Sequence, residues 1–224
     1  MTQAGHAQPG QGLLVVLSGP SGVGKGTVVA KARSLQGERA ARLVASVSAT
    51  TRPPRPEEMP GRDYHFVSPE QFARMAEAGE LLESATYLDH WYGTPRAWVD
   101  QHLAQGYDVV LEIEVEGAQQ VRSRRPEAVL IYMLPPSWEA LRRRLARRRS
   151  ESAELQRRRL EVAREEVGRI GGYDYAIVND RVPRAARCLL AILEAEHLRV
   201  PRADISRLMA AEPVLGPMIG SRNG

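Results

Sequence analysis

The sequence predicts an α/β fold, a parallel β-sheet flanked by helices, with a mixed α/β insert interrupting it. Three observations carry that prediction. Short apolar runs recur at residues 13–17, 43–47, 109–113, 129–134 and 175–178, mostly separated by segments of helical period. Such alternation yields a parallel sheet covered on both faces. A glycine-rich loop follows the first run and opens the first helical segment. The alternation then fails between residues 48 and 95, where prolines, arginines and short strand-like pieces replace it. At 224 residues, 43% hydrophobic and 26% charged, the chain is long enough for one well-formed core and is not disordered by default.

The first apolar run leads into Ser18-Gly19-Pro20-Ser21-Gly22-Val23-Gly24-Lys25-Gly26-Thr27. Its spacing is that of a phosphate-binding loop, in which glycines let the backbone turn tightly and aim N–H groups inward while a lysine adds a fixed positive charge. Only two of the 31 basic residues are lysines, Lys25 and Lys31, so a lysine at this spacing stands out. One position departs from the usual pattern. The residue after the lysine is Gly26, and the hydroxyl follows one place later, at Thr27. The usual hydroxyl binds Mg²⁺ directly; here the ion is expected on phosphates and water, with Thr27 bonding a phosphate. The loop should lie beyond the carboxyl ends of the strands, where ligands bind in such folds.

Helical stripes follow at Val28, Val29 and Ala32, at Trp138, Leu141 and Leu145, and at Ala185, Leu189, Ile192 and Ala195. Cys188 sits beside the last stripe and reads as a buried structural thiol. As the single cysteine it excludes an internal disulfide and fits a reducing compartment. Residues 1–12 are polar and do not resemble a signal peptide, and no apolar run approaches membrane-spanning length. A cytoplasmic protein without membrane contact is expected. The net charge of +4 admits polyanionic partners. Six of the eight residues from Arg142 to Arg149 are arginine, but interleaved aromatics are absent and acidic residues return at Glu161, Glu165 and Glu166. Nucleic acid is therefore not the expected partner.

The insert opens with Thr50-Thr51-Arg52-Pro53-Pro54-Arg55-Pro56 and continues with a strand-like piece at 63–67, a short helix around Phe72, Met75 and Ala76, and a strand-like piece at 81–87. The prolines hold the backbone around Arg52 and Arg55 extended and stiff. Two guanidinium forks so placed suit a monophosphate dianion, with the Tyr64 and Tyr92 phenols as further donors. Taken alone, these residues also fit an exposed loop with packing tyrosines. Glu112 and Glu114 alternate with Leu111, Ile113 and Val115, so both carboxylates project from one face at a strand end. An ordinary amphipathic strand shows the same alternation.

Further blocks occur in order: Ser46-Val47-Ser48-Ala49 leading into the Thr50 segment, Gly61-Arg62-Asp63-Tyr64, Leu82-Glu83, Tyr92-Gly93-Thr94, Gly117-Ala118-Gln119-Gln120 and Ile177-Val178-Asn179-Asp180. With these, residues 12–198 resemble the guanylate kinases, nucleoside monophosphate kinases that move the γ-phosphoryl group of ATP onto GMP. The resemblance implies a P-loop kinase core at 12–47 and 96–199 with a mobile helical lid at about 145–160, a GMP-binding subdomain at 48–95, and flexible ends at 1–11 and 200–224. It assigns ATP to residues Gly19 through Thr27 named above and to Asn179. GMP falls to Ser48, Arg52, Arg55, Tyr64, Glu83, Tyr92, Gly93, Thr94, Glu112 and Glu114. Within that set Glu83 would accept guanine N1–H and N2–H, beside the Ser48 and Thr94 hydroxyls; adenine offers that carboxylate an acceptor instead and is rejected. Phosphoryl transfer would rest on Lys25, Arg52, Arg144, Arg148 and Arg159, with Mg²⁺ accompanying ATP. Thr27, Glu112 and Glu114 are the candidates for contact with the ion, through water.

Guanylate kinases typically carry aspartates where this chain has Glu112 and Glu114, and the longer arm moves each carboxylate by one C–C bond, about 1.5 Å. The resemblance implies ATP and GMP or dGMP as partners. Two rival readings are a guanylate-kinase-like peptide-binding module without catalysis and a related P-loop kinase with another acceptor. The first tends to lose phosphate-binding residues that this chain retains. The second would not need Glu83, Ser48 and Thr94. Oligomeric state is open.

Overall fold

The strand β1 (Leu14–Ser18) is buried at every position, as a central strand with both faces covered must be. The computed structural model describes residues 11–87, 89–146, 153–200 and 202. In chain order the further elements are α1 (Lys25–Arg33), α2 (Glu38–Ala41), β2 (Leu43–Ala45), β3 (Ala49–Thr50), β4 (His65–Phe66), α3 (Pro69–Glu77), β5 (Leu81–Tyr87), β6 (His90–Pro95) and α4 (Arg96–Ala104). They continue with β7 (Asp108–Glu112), α5 (Val115–Arg124), β8 (Val129–Leu134), α6 (Trp138–Ala146), α7 (Ala153–Gly168), a 3₁₀ turn (Ile170–Gly172), β9 (Tyr175–Val178) and α8 (Val182–His197).

The main sheet runs β2-β7-β1-β8-β9, and every pairing in it is parallel. Period-two alternation along β1 sends side chains to opposite faces. Leu13, Val15 and Leu17 join Val28, Val29 and Ala32 of α1 and Ala185, Ala186, Leu189 and Leu193 of α8. Leu14 and Val16 join Val99 and Leu103 of α4 and Ala118 and Val121 of α5. All five expected apolar runs are strands. β7 begins one residue early, on the buried Asp108, because its carboxylate accepts the Leu13 N–H at 2.9 Å and lies 2.7 Å from His197 Nε2.

Residues 49–95 form a second sheet in the order β4-β3-β6-β5, with β3–β4 parallel and the other pairs antiparallel. The expected pieces at 63–67, around Phe72 and at 81–87 appear as β4, α3 and β5. The helix α3 starts where Ser68 accepts the Gln71 N–H at 3.2 Å and Pro69 takes the first helical position, the usual N-terminal chemistry. The register between β5 and β6 slips by one residue between Leu81 and Ser84. There Leu81 packs with Ala49 and Phe72 in the insert, whereas Leu82 packs in the main core.

One expectation near the chain's end is corrected. Cys188 is exposed, since the buried face of α8 runs through Ala185, Leu189, Leu193 and Glu196 and drifts away from Ile192 and Ala195. The expected loose end at 200–224 lies outside the described residues except at Val200 and Arg202. Arg202 is anchored: its guanidinium reaches the carboxylate of Glu196, which is 2% exposed, and donates to the Glu127 carbonyl at 2.7 Å. Tyr175 also donates to Glu196, at 2.6 Å. Among the described residues no helix is long and apolar enough to cross a membrane. Replacing Arg202 by alanine leaves a buried carboxylate short of its main counter-charge, a loss of about 2 kcal/mol once the remaining partners are counted. A melting temperature lower by about 4–8 °C is expected; calorimetry showing no change would contradict the anchor.

Candidate functional site

The phosphate-type loop lies at the carboxyl end of β1, and its geometry requires glycine at Gly19, where φ is 144° and a Cβ would run into the Met133 carbonyl oxygen, and at Gly24. Gly24 adopts φ 97° as it caps α1, and a Cβ there would come within 2.8 Å of Asn179 Nδ2. A Cβ on Gly26 would sit 3.2 Å from Glu112 Oε2, so a carboxylate faces the place where the usual hydroxyl side chain would be. Lys25 Nζ donates to the Gly19 carbonyl at 2.6 Å and so spans the loop. Thr27 is exposed in the first turn of α1.

Side chains from elsewhere brace this loop. Asn179 Nδ2 donates to the Val23 carbonyl at 2.8 Å. Arg144, on α6, donates to the carbonyls of Val23 at 3.0 Å and Asn179 at 2.8 Å. Arg159, on α7, reaches Ser21 Oγ at 3.5 Å. Asn179 is 2% exposed, and its Nδ2 holds the loop. Arg144 lies on main-chain oxygens of Val23 and Asn179. Arg148 lies outside the described residues.

Beside the loop is a cavity of about 330 Å³ whose walls come from both sheets. Arg52, Arg55, Tyr64 and Tyr92 line it together with Ser48, Glu83, Glu112 and Glu114. The lining thus combines two arginines with three carboxylates. Glu83 is 3% exposed and accepts the Thr94 hydroxyl at 2.7 Å. Burial pushes its carboxyl well up, against the Thr94 hydrogen bonds and Arg124, which pull it down. A Cβ on Gly117 would come 2.7 Å from Glu83 Oε2, so the first turn of α5 approaches this carboxylate as closely as backbone allows. Its strand is stitched to α5. Gln120 Nε2 donates to the Ser84 carbonyl at 2.8 Å, Gln120 Oε1 accepts the Ser84 N–H at 3.1 Å, and Arg124 donates to the Leu82 carbonyl at 2.6 Å.

Arg52 Nη2 donates to both oxygens of Glu58, at 2.8 and 2.9 Å, and Nη1 donates to the Pro53 carbonyl at 2.7 Å. Its guanidinium carbon lies 5.5 Å from the Tyr64 ring centre and 6.0 Å from that of Phe66. The Tyr64 and Tyr92 rings meet edge to face, 6.0 Å apart. Arg55 projects into solvent, its side chain 73% exposed. Gly93 is buried, and a Cβ on it would lie 2.9 Å from the Glu83 carbonyl oxygen; it gives the strands room. Glu112 ends β7 and Glu114 caps α5. Burial raises the Glu112 carboxyl, opposed by Lys25.

The Guanylate kinase family profile matches residues 11–196. The chain belongs to the guanylate kinase family. It is 49% identical over 192 residues to a guanylate kinase of Lactococcus lactis, covering 86% of this chain and 92% of that protein. A guanylate kinase of Streptococcus thermophilus is 48% identical over 192 residues, covering 86% and 90%. A guanylate kinase crystal structure from Anaplasma phagocytophilum superposes with a TM-score of 0.71 at 34% identity, covering 90% of this chain and 94% of that one.

Three features of this guanylate kinase fold escaped sequence reasoning. Glu58 had no signal beyond its place in a charged loop. Gly117 stood in a motif block with no assigned task. Glu166 is half-buried on α7; burial raises its carboxyl, Glu114 adds to that and Lys25 opposes it. The raised Glu83 carboxyl has a stability consequence. An acid whose folded pKa lies above its unfolded value favours the folded state at low pH, and that contribution is lost as pH rises through the folded value. Glu83→Gln should therefore melt above the wild type at pH 8, with the gap closing toward pH 4.5. A gap that stayed constant with pH would refute the assignment.

Proposed function

We infer that this chain transfers the γ-phosphoryl group of ATP to GMP and dGMP, giving ADP and GDP or dGDP, as a cytoplasmic step of purine nucleotide metabolism. The observation that carries the acceptor's identity is the buried Glu83 carboxylate in the wall of a cavity that Arg52 and Arg55 also line. Guanine brings N1–H and N2–H to such a carboxylate and restores the hydrogen bonds that burial removed. Thr94 already orients the carboxylate, and Ser48 completes the base end. The phosphate then falls toward Arg52, Arg55, Tyr64 and Tyr92. Adenine would place an acceptor against Glu83 and leave its charge without donors.

Phosphoryl transfer asks little covalent work of the protein; positioning and charge stabilisation supply most of the acceleration. The attacking GMP oxygen is already anionic, so no general base is assigned. On this reading Lys25 and the loop N–H groups from Gly19 to Thr27 hold the β- and γ-phosphates. Pro20, Ser21, Gly22 and Val23 shape the loop. Mg²⁺, when bound with ATP, neutralises phosphate charge during transfer. Glu112 would supply hard oxygens opposite Gly26, with Glu114 and Thr27 as the candidates to act through water. Glu112 then stands in for the hydroxyl that Gly26 lacks.

We assign residues 48–95 to acceptor binding and α6 and α7 to a lid whose Arg144 and Arg159 meet the loop. Their closure over both nucleotides keeps water from the γ-phosphoryl group. The decisive variant is Glu83→Gln, which keeps the shape but turns one of the two acceptors into a donor. Its kcat/KM for GMP should fall roughly 10²- to 10⁴-fold, as expected for losing charge-assisted hydrogen bonds, with ATP binding unchanged by calorimetry. Equal GMP turnover by variant and wild type would defeat the proposed recognition.

A further inference from the structure

We propose that Glu58 is a positioning residue for the acceptor phosphate, holding Arg52 so that the arginine meets GMP already oriented. This rests on the functional reading above. Arg52 and Arg55 line the cavity and, among the described residues, Glu58 does not. Its carboxylate takes Arg52 Nη2 on both oxygens, at 2.8 and 2.9 Å. The same carboxylate accepts the Arg55 N–H at 2.9 Å, while the Glu58 N–H returns to the Arg55 carbonyl at 3.0 Å. The turn carrying both arginines is thereby closed in both directions. The Arg52 and Glu58 side chains are 14% and 15% exposed, so the pair is largely shielded from solvent.

The prolines at 53, 54 and 56 stiffen the main chain but leave the long Arg52 side chain free to rotate. A free arginine loses rotamer entropy when it is immobilised. Glu58 from one side, with Tyr64 and Phe66 beneath the guanidinium, imposes that order before the ligand arrives, the usual route by which preorganisation raises affinity. The Arg55 N–H, followed by Arg52, holds the Glu58 carboxyl below the ordinary range against a smaller effect of burial, so it is ionised at neutral pH. The Arg55 guanidinium, 3.8 Å from Glu58 and largely exposed, completes the phosphate clamp. A rival role for Glu58 is that of a stand-in anion which GMP must displace, and it predicts the opposite sign.

The test uses the full chain, with initial rates measured over a range of GMP at saturating ATP. In Glu58→Gln the amide oxygen still accepts from the Arg55 N–H, but the charge and the second acceptor for Arg52 are lost. KM for GMP should rise about tenfold, the effect of weakening one charge-assisted contact, with kcat and KM for ATP within about twofold of wild type. Glu58→Asp, which keeps the charge, should recover part of the loss. In an Arg52→Met background, Glu58→Gln should leave kcat/KM for GMP unchanged within about twofold, because a residue acting through Arg52 has nothing left to act on. An unchanged or lowered KM for GMP in the Glu58 variants, or independent effects in the double variant, would overturn the proposal. A wild type inactive on GMP would instead overturn the functional reading.

Discussion

The acceptor half of this molecule is organised around a carboxylate kept out of water. Glu83 is held by Thr94 at one end and pressed by the first turn of α5 at the other. Its burial raises the energy of the ionised form. That cost is tolerable only where a ligand offsets it, which is the usual relation between a functional site and the stability of its fold. The surrounding structure follows from keeping the group in place. Gln120 and Arg124 fasten β5 to α5, the irregular register between Leu81 and Ser84 sends Leu82 into the main core, and Gly117 keeps clear the space the carboxylate fills.

The donor half obeys a complementary constraint, a backbone that must turn tightly with its N–H groups aimed inward. Its carbonyls are tied off from outside by Asn179 and Arg144 and from within by Lys25. These bonds leave the N–H groups of the loop as the donors available to an anion. The two halves meet at the end of β7. Glu112 lies against Gly26 on the donor side and lines the acceptor cavity. The two departures from common motif chemistry, a glycine after the lysine and a glutamate in place of aspartate, thus face each other in space. The longer acidic arm reaches the room left by the missing side chain.

Much of this was legible from the amino-acid order. The five buried strands announce themselves because both faces of a parallel sheet are apolar, and the loop declares its glycines and lysine at fixed spacing. The misses have physical causes. β6 and α4 were not separated because His90–Pro95 has no apolar alternation. Cys188 was placed inside because a helical stripe read at intervals of three or four can follow 192 and 195 as easily as 193 and 196, and only packing on the sheet chooses between them. The bonds from Asn179 and Arg144 to Val23 were not foreseen, because they join residues far apart in the chain. Glu58 was silent, since its function depends on where the Arg52 side chain turns, which no spacing encodes.

The central claim is that a buried carboxylate selects the acceptor base, and a panel of monophosphates tests it most directly. At saturating ATP, kcat/KM should be comparable for GMP and dGMP. It should fall at least about tenfold for IMP, which retains N1–H but lacks the 2-amino donor. For AMP, which opposes the carboxylate with an acceptor, the loss should be on the order of 10⁴. Comparable values for GMP and AMP would contradict the account.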